Sequence, residues 1–165
     1  NLIISNNPEA GVENHARAHG IDYVFYERKL WRENPEIIID TLKSRNIEVV
    51  VLAGFLQLIP KILIAEFPNR ILNIHPALLP NFGGKGMYGH HVHRAVKDAG
   101  STESGITIHV VNENYDEGEI FFQARVQLDA EDSAAVIQKK VLEVEHQWYP
   151  QIIEKYIKER IEEWK

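Results

Sequence analysis

Cysteine is absent from the 165 residues. That excludes disulfides, thiolate metal sites and cysteine nucleophiles together, and it gives no sign of an oxidising compartment. No apolar run approaches the ~20 residues of a membrane span. Basic side chains are in the minority, 18 against 24 acidic, for a formal net charge of −6. Nonspecific nucleic-acid binding needs a basic surface, so no nucleic-acid partner is expected. Repeats, linkers and low-complexity stretches are also missing. What is there, 44% hydrophobic and 25% charged residues, is the balance of an ordinary globular domain. The expectation is one cytoplasmic domain, with no membrane association, whose partners are small molecules.

Apolar runs alternate with helical stretches from the first residues. Leu2-Ile3-Ile4 reads as a short strand, and Asn6-Asn7-Pro8-Glu9 as a helix start with an Asn cap and Pro in the first turn, running to a stop at Gly20. Residues 21–26 give a second strand and residues 34–43 a second helix. Glu48-Val49-Val50-Val51-Leu52-Ala53-Gly54 is an unbroken run suited to a strand covered on both faces. A short helix at 62–67 and a strand at 70–75 follow. This order predicts an α/β fold, a doubly wound and mostly parallel sheet. After residue 100 the pattern changes to two alternating strands, 106–111 and 120–128, joined by a turn-rich connector: an antiparallel hairpin. The rest reads as helix, with Pro150 expected to end one helix and start the next, and with Ile153, Ile157 and Ile161 as its apolar stripe beside Ile152 and Tyr156.

The first strand-to-helix turn of an open α/β sheet usually carries a Gly-rich phosphate loop. None precedes the first helix here, so a βα unit is expected to be missing from the 165 residues.

Asn73-Ile74-His75-Pro76-Ala77-Leu78-Leu79-Pro80 falls at the carboxyl end of a strand, where open α/β sheets bind ligands. Asn73 and His75 are two apart and share a side of that strand. An amide that stabilises negative charge and an imidazole that moves a proton can together serve one carbonyl oxygen. Taken alone, Asn-x-His reads as a turn cap, Asn73, beside a buried polar contact, His75. Asp116, 41 residues beyond the histidine, can fold back to orient the imidazole, although Asp-Glu-Gly is also ordinary turn chemistry. His90, His91 and His93 lack the spacing and carboxylate partners of a zinc site, so no metal is expected. Gly83-Gly84-Lys85-Gly86 lacks the G-x-x-x-x-G-K-[ST] spacing and reads as a flexible surface loop. Ser133 has no base in sequence.

Four blocks together resemble the folate-dependent formyltransferases: Val49 through Leu56, Leu72 through Pro80, Gly105 through Gly118, and Glu145-His146 with Tyr149-Pro150. Ser5-Asn6-Asn7, Ala10-Gly11 and Gly20-Ile21 add to the likeness. Asn-x-His-Pro-x-Leu-Leu-Pro with a downstream Asp-x-Gly is a specific combination, and the blocks stand in the family's order. The resemblance implies a Rossmann-like formyltransferase fold and direct transfer of the formyl group of 10-formyltetrahydrofolate, a co-substrate, to the amine of glycinamide ribonucleotide in purine biosynthesis. It implies Asn73, protonated His75 and Asp116 as catalytic residues. The folate would lie against Leu56, Gln57, Leu58 and Ile59, and against Asn73 and the loop of Asn112, Glu113, Asn114, Tyr115 and Asp116. Gly54, Pro76 and Glu145 would hold the nucleotide acceptor, Glu145 through its ribose hydroxyls. Monomer and homodimer both stay open.

The sequence departs from the family pattern in three places. Gln57 stands where a basic residue is frequent, the loop at 82–93 is longer, and the Gly-Ser-Gly-type phosphate loop is not among the 165 residues. A molecule without that loop is expected to bind the nucleotide phosphate poorly. Methionyl-tRNA formyltransferases add a basic tRNA-binding domain, and formyltetrahydrofolate deformylases read His-His where His75-Pro76 stands. A noncatalytic folate- or nucleotide-binding module is the reading from another class.

Overall fold

The computed structural model describes residues 1–164. The elements run β1 (Leu2–Ser5), α1 (Val12–Ala18), β2 (Asp22–Phe25), α2 (Leu30–Glu33), α3 (Pro35–Ser44), β3 (Val50–Leu52), α4 (Lys61–Glu66), β4 (Ile71–His75), α5 (His90–Asp98), β5 (Glu103–Val110), β6 (Ile120–Gln127) and α6 (Ala134–Arg160), closing in a 3-10 turn at Ile161–Trp164. β1 pairs with β2 in parallel and β3 with β4 in parallel. β5 joins β4 antiparallel and β6 joins β5 antiparallel. The expected α/β architecture with its C-terminal hairpin is therefore present. The strands form two sheets, β1-β2 and β3-β4-β5-β6, so β1 and β3 each keep one unpaired edge.

Alternation along β4 builds two cores. Ile71 packs with Ile38, Ile39 and Leu42 of α3, Leu63 of α4, and Trp31. Leu72 and Ile74 face the other way, toward Ile106, Ile108 and Val110 of β5 and Ile137, Val141, Tyr149, Ile152 and Tyr156 of α6. Helix α6 is also pinned by two phenol hydroxyls: Tyr149 donates to the Leu52 carbonyl at 2.7 Å and Tyr156 to that of Asn69 at 2.8 Å. Burying Tyr at these positions is possible because each hydroxyl finds a partner.

Local corrections each have a cause. The Asn6-Asn7-Pro8 start is a turn, not a helix: the Asn7 side chain accepts the Glu9 N–H at 3.1 Å, and Ser5 hydrogen-bonds the Asn7 backbone in both directions. Such side-chain bonds compete with helical ones, and α1 begins only at Val12. β3 is three residues long, and Val51 is 39% exposed because that face of the strand carries no helix among the described residues. The alternating pattern of β5 suggests a solvated face, yet Thr107 and His109 are as buried as their apolar neighbours. Pro150 does not break the chain into two helices; α6 runs through it. The packing of Tyr149 and Ile152 on either side outweighs the lost backbone bond. The buried stripe of that half is Tyr149, Ile152 and Tyr156, while Ile153, Ile157 and Ile161 are only partly buried.

Gly105 carries the hairpin against its partner strand. A Cβ there would sit 2.0 Å from the Ala124 carbonyl oxygen and 2.9 Å from Leu78. Gly105→Ala should destabilise the fold by about 1–3 kcal/mol, read as a lower urea midpoint. An unchanged midpoint would show that β5 and β6 are looser than described.

Candidate active site

β4 ends in Asn73 and His75, both on one side of the strand. Antiparallel register sets Asn73 opposite His109 and His75 opposite Thr107. The Asn73 side-chain amide and His109 Nε2 lie 3.1 Å apart, and His109 Nδ1 is 3.3 Å from the Val110 carbonyl. Since a carbonyl only accepts, His109 carries its proton on Nδ1, and Nε2 accepts from the amide. His75 is 3% exposed, and its Nε2 lies 2.8 Å from the Phe82 carbonyl. By the same reasoning Nε2–H is the donor.

Asp116 closes the cluster from the β5–β6 connection, where it adopts a left-handed backbone with φ 57°. Asp tolerates that region better than most residues. Two residues on, Gly118 packs so tightly over β5 that a Cβ would lie 1.6 Å from the Val110 carbonyl oxygen. This close approach folds the connection back across the strand end. Asp116 Oδ2 then accepts the Gly84 N–H at 3.0 Å and lies 3.5 Å from His75 Nδ1, while Oδ1 lies 3.6 Å from His109 Nε2. The loop after β4 is tied down by the Thr107 hydroxyl, which donates to the Ala77 carbonyl at 2.7 Å and accepts the Leu79 N–H at 3.0 Å.

Charge follows from this geometry. Burial pushes His75 below its ordinary value of 6.5; Asp116 and the Phe82 carbonyl oppose that shift without cancelling it, and His109 adds to it. Burial thus favours the neutral ring of His75 in the resting protein, beside the protonated His75 that the resemblance implies for the reaction. For Asp116, burial is the largest single influence and raises the pKa. The neighbouring His109 and His75 and the Gly84 N–H together outweigh it, so the carboxyl lies below 3.8. His93, on α5, is pushed down by burial and by His75. Burial raises Glu145, with His146 opposing.

These groups open onto one cavity of about 690 Å³. Gly54, Leu56, Gln57, Leu58, Ile59, Asn73, His75, Pro76, Asn112, Asn114, Tyr115, Asp116 and Glu145 all line it. Glu113 does not: its carboxylate turns out to Lys61 Nζ at 2.5 Å. Gln57 is held as a bridge, accepting from Asn6 at 2.8 Å and donating to the Arg28 carbonyl at 3.1 Å. The sequence reading missed His109 and His93, and it took Gly83-Gly84-Lys85-Gly86 for a flexible surface loop, whereas Gly84, Lys85 and Gly86 line the cavity. The polar slots of β5 were the available signal for His109. Ser133 caps α6, accepting the Val136 N–H. Among the described residues, no group of three His, Cys, Asp or Glu side chains is arranged for a metal ion, and no helix is long and apolar enough to cross a membrane.

An α/β sheet with an amide, imidazoles and a carboxylate gathered at its strand ends defines a protein built for acyl- or proton-transfer chemistry on a small molecule. Residues 1–153 match the formyl transferase family, and the chain belongs to that family. It is 44% identical to a chloroplastic phosphoribosylglycinamide formyltransferase of Arabidopsis thaliana over 97% of its own length and 56% of the relative's. It is 33% identical to the Bacillus subtilis phosphoribosylglycinamide formyltransferase over 94% of its length and 79% of that protein's. The crystal structure of glycinamide ribonucleotide transformylase 1 from Symbiobacterium toebii superposes with a TM-score of 0.87 at 30% identity, covering 96% of this chain and 74% of that one. The chain thus spans about half the length of the plant relatives that it matches.

The pKa directions fix a stability profile. A histidine held below 6.5 in the fold binds fewer protons than the unfolded chain just under that pH, so stability falls as pH drops through this window. Asp116, held below 3.8, contributes stability above that value that is lost at still lower pH. Urea midpoints should therefore hold steady above about pH 7 and fall below 6.5, with a smaller fall in His93→Gln. A flat profile from pH 7 to 5 would contradict the buried neutral histidines.

Proposed function

We propose that the chain carries the catalytic part of a phosphoribosylglycinamide formyltransferase, passing the formyl group of 10-formyltetrahydrofolate to the amine of glycinamide ribonucleotide. The observation that carries this reading is the convergence of Asn73, neutral His75 and ionised Asp116 on one cavity wall. The relatives' names and the family match supply the substrates.

In this reading the amine attacks the formyl carbon, a C–N bond forms, and negative charge builds on the formyl oxygen. The Asn73 amide has given one N–H to His109 and has a second for that oxyanion. The proton released by the amine passes to His75, directly or through a water, and the resulting imidazolium is stabilised by Asp116. Collapse of the tetrahedral centre breaks the bond to N10 of the folate, which takes the proton back from His75. Holding both reactants in one cavity contributes much of the rate. No step needs a metal. The exposed Leu56 and Leu58, with Tyr115, give the folate an apolar and aromatic surface, and Glu145 faces the acceptor's hydroxyls.

The unpaired edges of β1 and β3 and the exposed Val51 support a single formyltransferase domain completed by a strand, phosphate loop and helix outside residues 1–165. We assign the reaction to the cytoplasm, between small charged metabolites and without nucleic-acid or membrane partners, in a monomer or homodimer; fractionation and sedimentation of the full-length protein test those points.

Absorbance assays of tetrahydrofolate release in the full-length protein should show turnover that depends on glycinamide ribonucleotide. Release at the same rate with water alone would make the protein a deformylase instead. His75→Ala and Asp116→Ala should each lower kcat by about 10²–10⁴-fold while a folate analogue still binds. Near-wild-type turnover in both would falsify the catalytic assignment.

A further inference from the structure

The segment Phe82-Gly83-Gly84 touches both members of the His75–Asp116 pair through its main chain. The Phe82 carbonyl accepts from His75 Nε2 at 2.8 Å, and the Gly84 N–H donates to Asp116 Oδ2 at 3.0 Å. Between them Gly83 has no room for a side chain: a Cβ would meet Leu79 at 2.5 Å and the Asp116 Cβ at 3.3 Å. Phe82 itself is held at φ 57°, a region where a bulky residue is strained, and its ring packs against the β5–α6 core. Gly84 follows at φ 92°. The ring anchors the turn in the core, and the left-handed turn aims the carbonyl at His75.

We propose that Phe82-Gly83-Gly84 is a backbone clamp, a positioning element that fixes the tautomer of His75. It commits Nε2–H to the Phe82 carbonyl and leaves the Nδ1 lone pair, beside Asp116, as the atom that receives the reaction's proton. Rested on the formyl-transfer reading, this places the proton path on the Asp116 side of the ring. Nε2 is unable to reach substrate while the clamp is closed. The Gly84 bond meanwhile keeps Asp116 in its acceptor form, ready to stabilise the proton once it arrives. The titratable groups around the ring are Asp116 from the β5–β6 connection, His109 from β5 and His93 from α5. None of them supplies a competing acceptor to Nε2 among the described contacts.

The test is the ¹⁵N spectrum of the histidine rings in the resting full-length protein, with His75 assigned by its loss in His75→Gln. The clamp requires a neutral His75 protonated at Nε2 at pH 7, with Nδ1 taking the proton on acidification. A ring protonated at Nδ1, or charged at pH 7, overturns it. Phe82→Gly, which removes the anchor, should mix the tautomers and lower kcat by about 10- to 100-fold while the KM for folate moves far less. Phe82→Leu, which keeps an apolar anchor, should restore both. A Phe82→Gly protein with the wild-type spectrum and kcat overturns the proposal, and should that variant fail to fold, the wild-type spectrum still decides. The spectrum needs no substrate, so a protein that does not formylate glycinamide ribonucleotide fails the functional reading without touching the clamp.

Discussion

A nearly buried carboxylate needs partners that hold its charge, and Asp116, with 11% of its side chain exposed, organises the site around that need. One oxygen takes the Gly84 N–H and faces His75; the other faces His109, which in turn takes an N–H from Asn73. Four segments distant in sequence thus share one chain of polar contacts: the end of β4, the loop after it, β5 and the β5–β6 connection. Removing the carboxylate would leave the Gly84 N–H without its acceptor and two buried imidazoles without the anion beside them, so the cost would spread beyond a single bond.

The scaffold presents this network at a rigid edge. Alternate residues of β4 belong to two cores, so the strand is gripped on both faces and its last residues have little freedom. Tyr149 and Tyr156 tie α6 to the end of β3 and to the turn before β4, and the same helix brings Glu145 to the lining of the cavity. The cavity is therefore bounded by elements that pack independently of whatever fills it.

The local pattern around residues 73–75 was legible because a strand end followed by His-Pro is a short-range feature, and Asp116 was legible as part of a resemblance. His109 was not, because an alternating strand reads as half-solvated and only the pairing with β4 and the folded-back connection bury its polar slot. Glu113 was included with its neighbours, yet consecutive loop residues point in different directions and this one finds Lys61. Gly83-Gly84-Lys85-Gly86 reads as flexible because glycine signals freedom in a sequence; in the fold, Gly84 uses its left-handed backbone to deliver an N–H. Pro150 shows the same limit for propensity, since tertiary packing around Tyr149 keeps the helix continuous.

All of this depends on Asp116 being an anion held by its neighbours despite burial. Titrating its carboxyl carbon by ¹³C NMR in the resting protein measures that directly. The carboxyl should titrate below the ordinary aspartate value of 3.8. A midpoint above 3.8, with burial winning over the Gly84 bond and the two neighbouring imidazoles, would contradict that.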